Sequence, residues 1–421
     1  MNTPTNHWYN QQQRNEQLAN CIQNQIFHRR HRTWRRTPYG QTYRYDRNGH
    51  PFVLMSYNIL AQSLLCKHSH LYTENVAEFL EWPHRLQCIR NEIFEMKPAI
   101  LCLQEVQQSH LEEIQNALQP MCYAKPLYKK RTSPDYDDGC AIFYDPQFFE
   151  LIDHHYVEFY QPDVKILDRF NVAIIAKFVS KRLENLQLTV ATTHLLYNPR
   201  RDDVRTAQLQ VLLAELDRMS VHTKTKEPLP IILTGDFNCL QFSAPYRLVN
   251  DGHINSTNLP LSCQIMDDCK HMNVTIHQNR RRTALFNSSS GSNDSAAEFA
   301  SDDEGKDCVN VSDATIEYIL SSGLPYNTGA LWHYLNLQPT LVSNNMASTY
   351  QDKWIMVDYI FYTKYSRRTL GPLTTPTKYS SLKLLANYEL PIKQDCHNLG
   401  PIPNWIYGSD HYAMASEFVI R

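Results

Sequence analysis

The stretch ILTGDFNCL, Ile232 to Leu240, starts as an aliphatic run and ends in an Asp and an Asn two residues apart. A short apolar run bounded by turn formers reads as a buried strand. In an extended strand residues i and i+2 share a face, so Asp236 and Asn238 are expected to project side by side as the strand leaves the core. Asp, Asn and Gly are also ordinary turn residues, and taken alone the tetrad from Gly235 to Asn238 reads equally well as a turn. What decides between turn and site is whether other strands end in the same way.

Seven further runs read as strands: 52–60, 99–106, 139–145, 171–179, 186–196, 354–363 and 411–420, with the quoted stretch belonging to an eighth at 230–238. Helical spacing appears between them. Pro83 to Met96 places Leu86, Ile89, Ile93 and Met96 on one face, opened by Pro83 and closed before Pro98. In SHLEEIQNAL, Ser109 precedes Glu112 by three residues, which predicts a capping box. Asp202 to Met219 reads as a third helix, with acidic residues at its start. Strands alternating with helices predict an α/β layered fold around one core.

The chain has 421 residues and a formal net charge of -2, so no global excess of charge argues for nucleic acid. Residues 1–50 carry eight Arg against Glu16 and Asp46, so the positive charge is concentrated there. We read 1–50 as a basic polar leader able to recruit protein partners, and 51–421 as one catalytic domain. Asn287 to Asp307, rich in Ser and acidic residues, reads as a disordered insertion in that domain. The 11 cysteines are scattered and odd in number, which suggests reduced thiols inside the cell. The cytoplasm is the expected compartment, with nucleus and mitochondrion left open. Neither a secretory segment nor an apolar run long enough for a membrane span is visible. Oligomeric state is not legible.

Most of these runs end on a polar residue that phosphate chemistry can use: Asn58, Glu105, His194, Asp236 with Asn238, and Asp358, while Asp410 and His411 open the last. Any one of them alone is an ordinary cap or turn residue; their recurrence argues for a site. Glu, Asp and Asn offer hard oxygens that suit Mg²⁺ or Mn²⁺. Hydrolysing a phosphate ester needs a metal to neutralise phosphoryl charge, a group that orients water, and donors to the non-bridging oxygens. Glu105 can supply the first, Asp236 or His411 the second, and Asn238 and His194 the third.

The motifs SYNIL, LQEV, THLLYNP, GDFN, VDYIFY and SDH, in this order, resemble the endonuclease/exonuclease/phosphatase superfamily with its DNase-like fold. MSYNILAQ, SHLY, LDRFNVA and THLLYNPRRDDVRTAQL resemble the angel branch of the group that also holds nocturnin and the carbon-catabolite-repressor deadenylases. The resemblance covers roughly residues 50–421 and implies a four-layer α-β-β-α sandwich of two mixed sheets flanked by helices. It also implies that Glu105 is the main Mg²⁺ ligand, with Asn58 beside it and Asp410 as a further ligand. His194 and Asn238 would then bind the scissile phosphate, Asp236 would orient or activate water, and His411, oriented by Asp358, would serve as acid-base or phosphate-stabilising group.

The implied substrate is the 3′ end of RNA. Lys129, Lys130, Arg131, Arg200, Arg201 and Arg205 are candidates for backbone phosphates, and Tyr197 and Trp354 for stacking an unpaired base. The angel resemblance implies opening of a 2′,3′-cyclic phosphate and its removal to leave a cis-diol. The deadenylases imply instead stepwise removal of a poly(A) tail, with adenine held between a ring and a proline. Pro199 fits that pattern, whereas position 353, where the ring is expected, is Lys. A non-catalytic RNA-binding adaptor is the alternative from another class.

Overall fold

Strands covered on both faces carry apolar side chains at consecutive positions, and most of the runs identified above do so at the centres of two sheets. The computed structural model describes residues 32–45, 47–162, 164–183, 186–255, 330–364 and 382–421, together with Ala19, Gln23 and Ile26. One sheet has seven strands, in the order β1 (Trp34–Arg36), β16 (Leu382–Tyr388), β17 (Met414–Ile420), β2 (His50–Asn58), β3 (Ile100–Gln104), β5 (Gly139–Tyr144) and β4 (Leu127–Lys130). The other has six: β12 (Leu337–Pro339), β15 (Asp358–Thr363), β9 (Ile231–Asp236), β8 (Gln187–His194), β7 (Val172–Ser180) and β6 (Phe149–Glu158). Two antiparallel pairs stand apart, β10 (His253–Asn255) with β11 (Ala330–Trp332) and the hairpin of β13 (Thr349–Gln351) with β14 (Lys353–Ile355).

Parity along the strands builds the layers. Phe52, Leu54, Ile100, Cys102, Cys140 and Ile142 face the second sheet and pack in one cluster with Leu188, Val190 and Ile232. The intervening Met55, Tyr57, Leu101, Leu103, Ala141 and Phe143 pack outward with Ile89, Ile93 and Met96 of the Trp82–Met96 helix. β2 and β3 are parallel, as are β8 and β9, so each pair needs a crossover. The Trp82–Met96 helix makes the first crossover and the Asp202–Met219 helix the second. The expected α/β sandwich of two mixed sheets with flanking helices is therefore the observed fold.

Several local expectations change. Ser109 does not cap a helix: a turn of 3-10 helix at Gln108–His110 runs straight into Leu111–Ala117, and the Ser109 hydroxyl bonds to Asp137 Oδ2 (3.2 Å) instead. The run 354–363 is two strands rather than one, broken where the backbone N–H of Val357 donates to Ser348 Oγ (3.0 Å). Trp34–Arg36 adds a strand to the first sheet, and Arg32 donates to the carbonyl of Ala413 (2.7 Å), so the end of the leader is built into the domain. β6, which the sequence reading missed, is a sheet edge whose polar residues face solvent and break the apolar run. The acidic insertion at 287–307 lies outside the described residues.

Candidate active site

Strand register brings the polar ends together. His194 on β8 pairs with Asp236 on β9, and Asp236 pairs with Asp358 on β15. Paired residues on neighbouring strands point the same way at about 4.8 Å spacing, so these three side chains form a row. On the facing sheet, Asn58 ends β2, and Glu105 follows β3. Between the sheets, Gln104 Nε2 donates to Thr192 Oγ1 (2.9 Å), tying the two strand ends together just beneath the row. Gly235 permits the close approach of β8 and β9: a Cβ there would lie 2.0 Å from the carbonyl oxygen of Thr193.

Asn58 joins the two halves. Its amide Nδ2 donates to Glu105 Oε1 (2.8 Å) and to Asp236 Oδ2 (3.0 Å), while its Oδ1 accepts from the backbone N–H of Leu60 (3.0 Å). Glu105 Oε2 accepts from the backbone N–H of Ala61 (3.0 Å). Nε2 of His194 and Nε2 of His411 each lie 3.6 Å from Asp236 Oδ2, and His411 Nδ1 donates to Asp358 Oδ2 (2.8 Å). Asp410 accepts from the Tyr72 hydroxyl (2.8 Å). Ser409 donates to the carbonyl of Asn58 (2.7 Å), which ties the loop carrying Asp410 and His411 to the end of β2.

The opening stretch is both turn and site. β9 stops at Asp236, whose Oδ1 accepts from the backbone N–H of Asn238 (2.9 Å), and Asn238 adopts a left-handed backbone with φ 49°. The expected side-by-side projection is replaced by this tight turn, and Asn238 Nδ2 donates to the carbonyl of Leu195 (3.0 Å). Glu105 is also left-handed, with φ 55°. Such backbone is costly for a residue with a long side chain and collects where function requires it.

Burial and charge act on Glu105, Asp236 and His411. Burial pushes the Glu105 carboxyl up, and the charge of Asp410 pushes it further, against a lowering pull from His194. Asp236 is raised by burial and by the charge of Asp358. For His411 burial alone would favour the neutral ring, but Asp358 and Asp236 outweigh it and hold the imidazole well above its usual range. Two acidic groups are therefore available to a cation. Glu105 has Asn58 beside it and Asp410 close by, while ligand atoms of Asp236, Asp358 and His411 lie within 4.8 Å of one another.

The cations nominated from sequence are mostly committed elsewhere. Arg205 is buried and donates to the carbonyls of Leu196 (2.9 Å) and Pro199 (3.1 Å) and to Asp202, shaping the loop after β8 instead of meeting substrate. Arg201 pairs with Asp203 (2.9 Å). Lys130 donates to the carbonyls of Ser133 and Tyr136 in its own loop, and Lys129 pairs with Glu158. Arg131 sits 3.5 Å over the Tyr136 ring. Trp354 is only 5% exposed and stacks on Tyr412, so it is core rather than a base platform. Tyr197, Pro199 and Arg200 remain exposed on the loop after β8.

Sequence reading missed Arg85. Its guanidinium is fully buried and donates to the carbonyls of Ile59, Leu60 and Gly408 (2.8 Å to the last) and to Gln62 Oε1 (2.7 Å). One side chain thus clamps the loop after Asn58 to the loop before Asp410. Its only sequence signal was its place on the apolar face of the helix, four residues before Ile89.

A fold of two packed sheets whose strand ends assemble buried carboxylates, amides and histidines agrees with the profile of the Endonuclease/Exonuclease/phosphatase family, which matches residues 55–411. The chain belongs to that family, within its angel proteins, and is a phosphoesterase. It is similar to "Protein angel" of Drosophila melanogaster, 35% identical over 88% of this chain and 81% of the relative. "Protein angel homolog 2" of Homo sapiens is 32% identical over 88% of this chain and 70% of its own. The crystal structure of ANGEL2, described as a 2′,3′-cyclic phosphatase in complex with adenosine-2′,3′-vanadate, superposes with a TM-score of 0.69 at 29% identity, covering 92% of this chain and 98% of that one. The human nocturnin catalytic domain shares the fold, with a TM-score of 0.54 at 20% identity, over 93% of this chain and 98% of that one. No helix among the described residues is long and apolar enough to cross a membrane.

Proposed function

We propose that this chain is a divalent-metal-dependent phosphohydrolase of RNA 3′ ends that opens a terminal 2′,3′-cyclic phosphate and removes the phosphate to leave a cis-diol. The observation that carries the reading is the intact constellation around Asp236, with Asn58, His194 and His411 all within 3.6 Å of it. The likeness to ANGEL2, whose bound ligand is an adenosine-2′,3′-vanadate, supports the substrate.

The donor set fits a hard cation. The buried carboxylate of Glu105 meets two neutral N–H donors, from Asn58 and Ala61, and burying a charge with so little compensation is costly. Glu105 would hold Mg²⁺ or Mn²⁺, with Asn58 beside it and Asp410 as a further ligand. Asp236, Asp358 and His411 are the less fitting group, because the His411–Asp358 hydrogen bond is the pattern of an oriented acid-base residue. The bound ion supplies neutralisation of the charge that develops on the phosphoryl oxygens.

The chain's own residues do the rest. Asp236, held by Asn58 and by the backbone of Asn238, orients the attacking water and accepts its proton. His194 and the second N–H of the Asn238 amide donate to the non-bridging oxygens. His411, kept protonated by Asp358 and Asp236, gives its proton to the departing ribose oxygen. The first water opens the ring to a phosphate monoester, and a second releases inorganic phosphate.

The test offers the purified protein with Mg²⁺ two RNAs of one sequence, one ending in a 2′,3′-cyclic phosphate and one in an A-tail with a free hydroxyl. Loss of the terminal phosphate without shortening is the expected result. A descending ladder from the A-tail would instead make the protein a deadenylase, and RNA binding without turnover would make it an adaptor.

A further inference from the structure

A site that takes the end of an RNA chain must also meet the phosphates upstream of that end, and cations near the mouth dominate such contacts. Most of the cations nominated as phosphate contacts are turned into their own loops or paired with carboxylates, and although Arg200 stays exposed on the loop after β8, the upstream contact calls for a further cation near the mouth. The β13–β14 hairpin offers one.

Register decides which side chains of this hairpin face the site. Thr349 pairs with Ile355, Tyr350 with Trp354, and Gln351 with Lys353. Paired residues and their i±2 neighbours share a face, so Tyr350, Trp354 and, through its ring contact with Trp354, Tyr412 lie on one side. Thr349, Gln351, Ile355 and Lys353 lie on the other. A bridge joins Thr349 to His411, and Thr349 Oγ1 donates to the carbonyl of Asp410 (2.8 Å), so this second face is the one that carries His411. His411 directs its ring at Asp236, and the exposed Lys353 therefore stands on the same side, at the tip of the hairpin.

Spacing then sets what Lys353 can reach. It lies two strand spacings across from His411 and two residues further along the hairpin, about 10 Å and about 7 Å respectively. Swung across the face toward His411, the flexible Lys side chain can bring its ammonium to the phosphodiester next to the reacting one. Resting on the phosphohydrolase reading above, we infer that Lys353 binds the phosphodiester immediately upstream of the reacting 3′-terminal phosphate, so that the substrate is an oligonucleotide end and not a free cyclic mononucleotide. The opposite face of the hairpin, with Tyr350 leaning on Trp354, supports the hairpin from behind.

The experiment compares kcat/KM for adenosine 2′,3′-cyclic phosphate, which lacks an upstream phosphate, with that for a five-nucleotide RNA carrying the same end. Lys353→Gln is expected to lower the preference for the five-nucleotide RNA by about fivefold or more, chiefly through KM. It should also flatten the slope of log(kcat/KM) against log salt for that RNA by about 0.7, the loss of one phosphate contact on a single strand. Lys353→Arg should restore both. An unchanged preference together with an unchanged slope overturns the inference. If the wild-type protein turns over neither substrate, the cyclic-phosphate reading fails separately; Lys353 is then judged by the salt slope of equilibrium binding to the same five-nucleotide RNA, and an equal slope in Lys353→Gln overturns its role.

Discussion

Replacing Arg85 with Met keeps much of the side-chain volume and removes every one of its hydrogen bonds. Three backbone carbonyls, of Ile59, Leu60 and Gly408, then lose a charged donor in a place where Arg85 itself is fully buried. An unsatisfied buried acceptor costs about 1–3 kcal/mol. Partial relaxation and entry of water recover part of the sum, which leaves a loss of about 3–6 kcal/mol, a large share of the 5–15 kcal/mol that holds a typical domain together. Arg85→Lys should recover little, because one ammonium cannot span the carbonyls of Gly408 and Leu60 from a single position. Urea unfolding followed by tryptophan fluorescence measures the change. Amide exchange at Leu60 and Ala61 should quicken as well, since the loop they occupy is tied to Gly408 through this side chain. A drop below about 0.5 kcal/mol for Arg85→Met, within the range of ordinary surface substitutions, would refute the idea that Arg85 clamps the two loops.

The other expectations concern individual groups. Glu105 is an acid raised by burial, so its ionised form is disfavoured in the folded protein; Glu105→Gln should hold or raise the metal-free melting temperature near pH 7.5 while abolishing the rise that Mg²⁺ gives the wild-type protein, read by thermal shift. His411→Ala should slow turnover at least about a hundredfold, in a stopped assay of phosphate release, with circular dichroism unchanged. His50 is lowered to about 4 by burial and by the charge of Arg182. Its contribution to stability is complete above pH 6.5 and is lost as pH falls from there toward 4. His50→Phe, which keeps the stacking on Phe148 and Phe149, should weaken the drop in melting temperature between pH 7 and pH 5; an equal drop in both proteins would show that the buried ring does not govern it.

The sequence by itself determined the central strands and the order of the chemistry along them. Apolar runs such as 99–106 and 230–238 are legible because strands buried on both faces need continuous hydrophobicity, and the polar residue that ends each run is a local fact. The motifs then carried the family and with it the fold. What was not local was not legible. Whether Arg205 meets a substrate or its own loop depends on where the carbonyls of Leu196 and Pro199 fall after folding. Trp354 reads as a strand residue in either case, and only the break at Met356–Val357 and the contact with Tyr412 turn it inward.

The tertiary structure decided how the strand ends act together. Asn58, Glu105 and Asp236 come from two sheets and are 178 residues apart at the widest hydrogen bond, so no spacing in the chain encodes the amide that joins them. The row of His194, Asp236 and Asp358 follows from inter-strand register, which is set by packing across the sheet. The partners of Arg85 depend on where the carbonyls of Ile59, Leu60 and Gly408 fall after folding, and the side on which Lys353 stands depends on hairpin parity, which puts it on the face of His411. Side-chain type is written residue by residue, whereas direction and partner are properties of the folded chain, because both depend on groups brought close only when the two sheets pack.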